Sequence, residues 1–336
     1  MTPTATALAS PGAPGASAEP TARALGLATL AVVGVLSLWQ GRRVLRAQAH
    51  GTGESLPRRR AGDASAESRV LHGAGAALAA SVLADSAVEH YRGSFKNPGM
   101  YVPIITSALA LLAGGSGAAG HSGRGPRRAR AGVYATAAAV GVVGTGFHLY
   151  NLLRRPGGLS WLNLFYSAPP GAPAALSLAG LLGLAADRIE AAPEGEAPRL
   201  LGLPAGRALA GLTGLGIAGT VGEAGLLHFR GSFQNPFMFA PVTVPPVAAA
   251  LMLGAAVGPR QPERPRRLTR LWLGLTAALG CAGVGFHAYG VSRAMGGWRN
   301  WTQNLVDGPP LPAPPSFAAL AVAALAALSL MEREHG

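Results

Sequence analysis

Cysteine is almost missing from this chain: Cys281 is the only one in 336 residues. Disulfides within the chain, thiolate-held iron–sulfur clusters and CxxCH haem attachment are therefore excluded. Charge is scarce as well. Asp, Glu, Lys and Arg together make up 13% of the residues, against about 25% in ordinary soluble domains. No phosphate-cradling loop, HExxH helix or nucleophile–base motif occurs. The glycine-rich segments follow no strand signal and are apolar throughout, so they do not read as dinucleotide loops. The first apolar run lacks a basic segment before it and an obvious cleavage site after it. It reads as a retained span rather than a cleaved signal peptide.

What is present is apolar and small. Hydrophobic residues make up 49% of the chain, with 48 Gly and 27 Pro. Apolar runs of about 17–25 residues read as transmembrane helices, because the hydrocarbon core is about 30 Å thick. Nine such runs are found, at 24–40, 70–90, 100–116, 132–152, 172–187, 207–228, 237–257, 268–290 and 315–331. The expected fold is an all-α polytopic membrane protein with about nine transmembrane helices. Its many Gly and Ala suit close helix approach in lipid, and the lipid bilayer is its first expected partner.

The formal charge of +13 suggests nucleic acid until its placement is considered. Nine alternating spans put 41–69, 117–131, 188–207, 258–270 and the C-terminal tail on one side, and these hold 20 of the 28 Lys and Arg residues. Cytoplasmic loops carry such an excess. The charge then reports topology, with no nucleic-acid partner: a multi-pass protein of the cell inner membrane, N-terminus outside and C-terminus cytoplasmic.

The chain is also duplicated. "HYRGSFKNPGMYVP" at 90–103 returns as "HFRGSFQNPFMFAP" at 228–241, with nine of fourteen positions identical. "GVVGTGFHLY" at 141–150 returns as "GCAGVGFHAY" at 280–289, and Trp161, Asn163 and Pro169–Pro170 return as Trp301, Asn304 and Pro309–Pro310. This divides the chain into a disordered tail at 1–23, an extra helix with a basic loop at 24–69, repeat 1 at 70–190, a linker at 191–206 and repeat 2 at 207–332. Four spans per repeat is an even number, so both copies enter the membrane in the same sense. A tandem parallel repeat of two four-helix units, related by a pseudo-twofold along the membrane normal, is expected.

The paired residues are the candidates for chemistry. His90 and His148 end parallel spans at one face, as do His228 and His287. His50, His72, His121 and His335 have no counterparts. Paired imidazoles at matched depth are a common means of holding a b-type haem or a transition metal. Gly146 and Gly285, with Gly141, Gly144, Gly280 and Gly283, bare one helix face for a flat macrocycle or for close helix packing. Arg92 and Arg230 suit a propionate or a lipid phosphate. Asp85 and Glu223 lie inside the spans, where an ionisable residue is a functional candidate. With Asn97 and Asn235 they are expected in the second shell, the acids hydrogen-bonded to a ligand His, or in a proton relay. Gly93 and Gly231 suit the left-handed end of a helix, and Asn97 and Asn235 the cap of the next. Met100 and Met238 suit gap-filling, and the aromatics around them an interfacial belt. Three classes of function follow. One is a haem or metal subunit passing electrons, with a quinone or a redox partner subunit. The second is a parallel-repeat transporter or channel using Asp85 and Glu223. The third is a metal-dependent membrane enzyme or assembly factor.

Overall fold

The computed structural model describes residues 64–121, 123–193, 196–259 and 262–333. The N-terminal tail, the 24–40 span, most of the basic loop after it, His50 and His335 lie outside the described residues. Ten α-helices occur among them: α1 (Ala64–Arg92), α2 (Val102–Ala118), α3 (Arg124–Leu153), the short α4 (Trp161–Tyr166), α5 (Gly171–Glu190), α6 (Ala205–Arg230), α7 (Ala240–Val257), α8 (Glu263–Arg293), the short α9 (Trp301–Val306) and α10 (Pro315–Arg333). All but α4 and α9 are long and apolar enough to cross a membrane, which makes eight candidate spans. At 1.5 Å per residue even the 17 residues of α2, with the 3₁₀ turn before them, approach the hydrocarbon thickness.

Burial sorts the spans into two shells. The apolar stretches of α1 and α10 are 83% and 78% buried, while those of α2, α3 and α8 are only 17–22% buried. The inner pair therefore reads as apolar on every side, as a buried helix does. α1 packs on α2, α5 and α10; α10 packs on α6 and α8; α3 packs on α5, and α5 touches α6. The central contacts are made by small residues, among them Ala74, Ala79, Ala319, Ala323 and Ala327, all fully buried. Outer helices instead present Ile105, Leu109, Leu112, Val142, Val143, Leu271 and Leu275 outward. An outward apolar band of that kind suits lipid.

The linker at 191–206 is not featureless. Arg199–Leu200 and Leu203–Pro204 pair as a two-residue antiparallel ladder, β1 and β2, turned by Leu201 and Gly202 at positive φ.

The "RGSF" segments correct one expectation. Gly231 closes α6 at φ −79°, and neither it nor Gly93 is left-handed. The left-handed residues are the next two, Ser94 and Phe95 at φ 58° and 46°, and Ser232 and Phe233 at φ 58° and 45°. In each copy the Ser N–H reaches the carbonyl three residues back, and the Phe N–H reaches the carbonyl of His90 or His228 at 3.1 Å, which is a Schellman closure. The glycines instead receive a methionine tip: a Cβ on Gly93 would come 2.7 Å from Met100 Cε, and one on Gly231 2.9 Å from Met238 Cε, the mobile end of each side chain. Asn97 and Asn235 then accept from the N–H of Gly99 and Phe237 at 2.8 and 3.0 Å. They cap 3₁₀ turns that begin with Pro98 and Pro236, where a missing N–H does no harm.

Candidate functional site

All four paired histidines sit at one face, at or near the ends of α1, α3, α6 and α8. Each is held the same way. His90 Nδ1 lies 2.6 Å from the Met100 carbonyl and His228 Nδ1 lies 2.8 Å from that of Met238. His148 Nδ1 lies 2.8 Å from the Pro169 carbonyl and His287 Nδ1 lies 2.7 Å from that of Pro310. A carbonyl only accepts, so Nδ1 is the donor in every ring. In the neutral imidazole Nε2 is then left with the lone pair. The acceptors have their own sequence logic. Met100 and Met238 lie in the turns capped by Asn97 and Asn235, and the prolines have no N–H with which to draw their neighbours into a helix.

Aromatic rings fix the first histidine of each copy. Phe95 meets His90 edge-on at 6.4 Å and stacks on Tyr101 at 4.6 Å. Phe233 meets His228 edge-on at 6.2 Å and stacks on Phe239 at 4.4 Å. The left-handed backbone at Phe95 and Phe233 is what turns these rings back toward the helix they have just left.

The two pairs differ in spacing and surroundings. His228 and His287 have ring centroids 6.5 Å apart with planes at 66°. His148 is near enough to His90 to interact with it electrostatically. His228 and His287 line a large open cavity of about 2200 Å³ between the two halves of the chain, and His90 and His148 do not. The walls are mostly apolar, from Val82 and Leu178 through Leu212 and Leu320.

No protein-family model matches this chain, and neither a curated protein nor a solved structure is significantly similar to it. The site must speak for itself.

The other sequence-derived candidates fall as follows. Asp85 and Glu223 line the same cavity and lie close enough to interact electrostatically. The Nδ1 partners of the histidines are main-chain carbonyls rather than these acids. Glu223 packs instead against the first residue of α5, where a Cβ on Gly171 would overlap its carboxylate. There it meets the positive end of a helix from the other half. Arg92 pairs with Glu89 at 2.8 Å on the surface, and Arg230 lies 5.6 Å above the Tyr166 ring. Both arginines border the cavity. Gly146 and Gly285 point into open space, with nothing within 4 Å of a built Cβ, and neither borders the cavity. The glycines used for contact are Gly141 and Gly144, against Ser177 and Pro173, and Gly280 and Gly283, against Ala318 and Pro314. They bring α3 onto α5 and α8 onto α10.

Sequence reasoning missed the carbonyl anchors and the Phe rings. The Phe was within reach, since it recurs at a fixed step from the His. Asn163 and Asn304 were noted only as repeated. Asn163 donates to the carbonyls of Pro156 and Gly158, and Asn304 to those of Met295 and Gly297, at 2.7–3.1 Å. They lock the loops that lead toward Pro169 and Pro310.

Proposed function

We propose that this is a membrane electron-transfer subunit that holds b-type haem through His228 and His287, with His90 and His148 as the corresponding pair of the first repeat. The observation that carries this reading is the common Nδ1 anchorage. Four imidazoles are each oriented by a main-chain carbonyl and left with an unbonded Nε2, which is how ligand histidines are prepared. The spacing fits. The ring centroids of His228 and His287 lie 6.5 Å apart, near enough that both side chains would hold one bound iron. The cavity exceeds the roughly 300–1,000 Å³ of a drug-sized pocket, and its apolar wall with Arg92 and Arg230 at the rim suits a macrocycle bearing carboxylates. Bound haem would supply one-electron redox chemistry. The protein's part is to orient the nitrogens, exclude water and offer an apolar space that a quinone or a redox partner subunit can approach.

The architecture proposed with it is the parallel repeat. Two four-helix units, α1–α5 and α6–α10, are related by rotation about the membrane normal, with the extra N-terminal helix outside them. The basic loops face the cytoplasm of an inner membrane. Matched local contacts in the two units support this reading.

A second reading has its own support. Asp85 and Glu223 come from different halves, face one cavity and sense each other's charge, as the acids of a cation or proton pathway would. Visible spectroscopy of the purified protein separates the two. A Soret band reduced by at least half in His287→Ala supports haem. Stoichiometric transition metal without a Soret band would place a bare metal at the same histidines. Neither would put the transporter or channel in front, and transport assays on Asp85→Asn and Glu223→Gln would follow.

A further inference from the structure

We infer that His72, Asp187 and Glu190 form a separate binding site for a divalent transition-metal cation, at the face opposite the four paired histidines. His72 comes from the start of α1, and the two acids from the end of α5. His72 is completely buried. Its Nδ1 lies 2.9 Å from the Tyr134 hydroxyl, while its Nε2 is buried without a hydrogen-bond partner. That unpartnered nitrogen lies 3.6 Å from Asp187 Oδ1 and 3.7 Å from Glu190 Oε2. One further atom of the group, Asp187 Oδ2, is also buried and unpartnered.

The distances discriminate between readings. Both exceed the roughly 3.2 Å limit of an N–H···O bond, so an imidazolium here would pair poorly with either carboxylate. Two ligand atoms about 2.0–2.2 Å from one tetrahedral metal are about 3.4 Å apart, so a small closure brings all three onto one ion. Arg130 ties the two acids together, with Nη2 2.8 Å from Asp187 Oδ1 and from Glu190 Oε2, the same oxygens that face His72. Arg130 contacts both acids directly and Arg127 acts on Asp187 through its charge alone; Asp187 is buried and Glu190 partly exposed, so a bound cation would add a direct contact that Arg127 does not make. One imidazole with carboxylates selects zinc, iron(II) or manganese over calcium or magnesium.

The second half of the chain serves as an internal control. At the corresponding places it has Ala210 for His72, Thr269 for Arg130, Leu273 for Tyr134, Leu328 for Asp187 and Met331 for Glu190. The slots change with the rings. A Cβ on Gly117 would overlap the His72 ring and one on Gly183 the Tyr134 ring; their counterparts are Ala255 and Ala324, both buried. At the five corresponding positions the second half therefore packs without an ionisable group; its α8–α10 ion pairs, Arg266 and Arg270 with Glu332, lie at other positions. Buried ionic groups are often replaceable by apolar ones at no loss of stability, so a cluster kept in one copy alone points to a ligand rather than to packing.

The test is metal retention by the purified, tag-free full chain in detergent. After chelator treatment the protein is incubated with Zn²⁺ or Mn²⁺ and desalted, and metal is measured by mass spectrometry, with haem iron counted separately from the Soret band. Wild-type protein and the His228→Ala/His287→Ala variant should both retain one equivalent. His72→Phe, which fills the slot without a nitrogen, should lose at least tenfold. If that variant does not fold, Glu190→Gln should show the same loss. Absence of stoichiometric metal in the wild type, or undiminished binding in these variants, overturns the site. An intact Soret band beside such a failure would leave the haem reading standing.

Discussion

At the scale of single residues, the repeated motif is a clamp for one imidazole. Non-glycine residues in the left-handed region cost about 1–2 kcal/mol each, and this chain places two in a row, twice. Such strain persists only where the surroundings enforce it. Here the enforcement comes from the Phe ring, caught between a histidine and a second aromatic. Ser232→Gly should therefore raise stability, by up to about 1 kcal/mol, in thermal unfolding of the purified protein. Phe233→Ala should lower it by about 1–2 kcal/mol, since two aromatic contacts worth about 0.5–1.5 kcal/mol each are lost. On the haem reading it should also loosen the His228 ring, read as a broadened Soret band. The histidines were legible in the sequence because duplication marked them. The true left-handed positions were not, because the adjacent glycine is the better local candidate. Gly93 and Gly231 instead lie under the tip of a methionine seven residues on, a contact that no local rule contains.

Among the helices, glycine has two separate uses, and substitution should tell them apart. Gly141 and Gly280 let α3 and α8 touch α5 and α10. Gly141→Val and Gly280→Val should each cost about 1–3 kcal/mol through overpacking, measured as a lower unfolding temperature. Gly146→Ala and Gly285→Ala face open space and should be neutral or stabilising by up to about 1 kcal/mol, as alanine is the better helix former. The eight spans could be read from composition because the bilayer sets their length. Their arrangement could not. α1 and α10 are as apolar as their neighbours in sequence, and only packing shows that they are the buried pair. The His72 cluster escaped for a related reason. Its members come from α1, α3 and α5 with no counterpart in the second half, so neither spacing nor repetition joined them. Their one sequence signal was that His72 and Asp187 are ionisable inside apolar runs, with Arg130 and Glu190 just beyond the ends of such runs.

For the whole molecule, the two halves meet along a cavity to which each contributes two acids and two arginines: Asp85, Glu89, Arg92 and Arg155 from the first, Glu223, Asp307, Arg230 and Arg293 from the second. Both aromatic contacts that cross this boundary at the histidine face, Phe165 on Phe229 at 5.2 Å and Arg230 over Tyr166, hold the mouth together. The orientation proposed from the basic loops predicts that a reporter fused after residue 125 is active only in the cytoplasm, and one fused after residue 158 only outside it. The central claim is that His228 and His287 hold iron. The most direct measurement is the visible spectrum of the purified protein, oxidised and dithionite-reduced, for wild type and His287→Ala. The account predicts a Soret band with sharpened α and β bands on reduction in the wild type, and loss of the second-repeat haem, at least half of the total, in the variant. A wild-type protein with no Soret band, even after incubation with haemin, would contradict it.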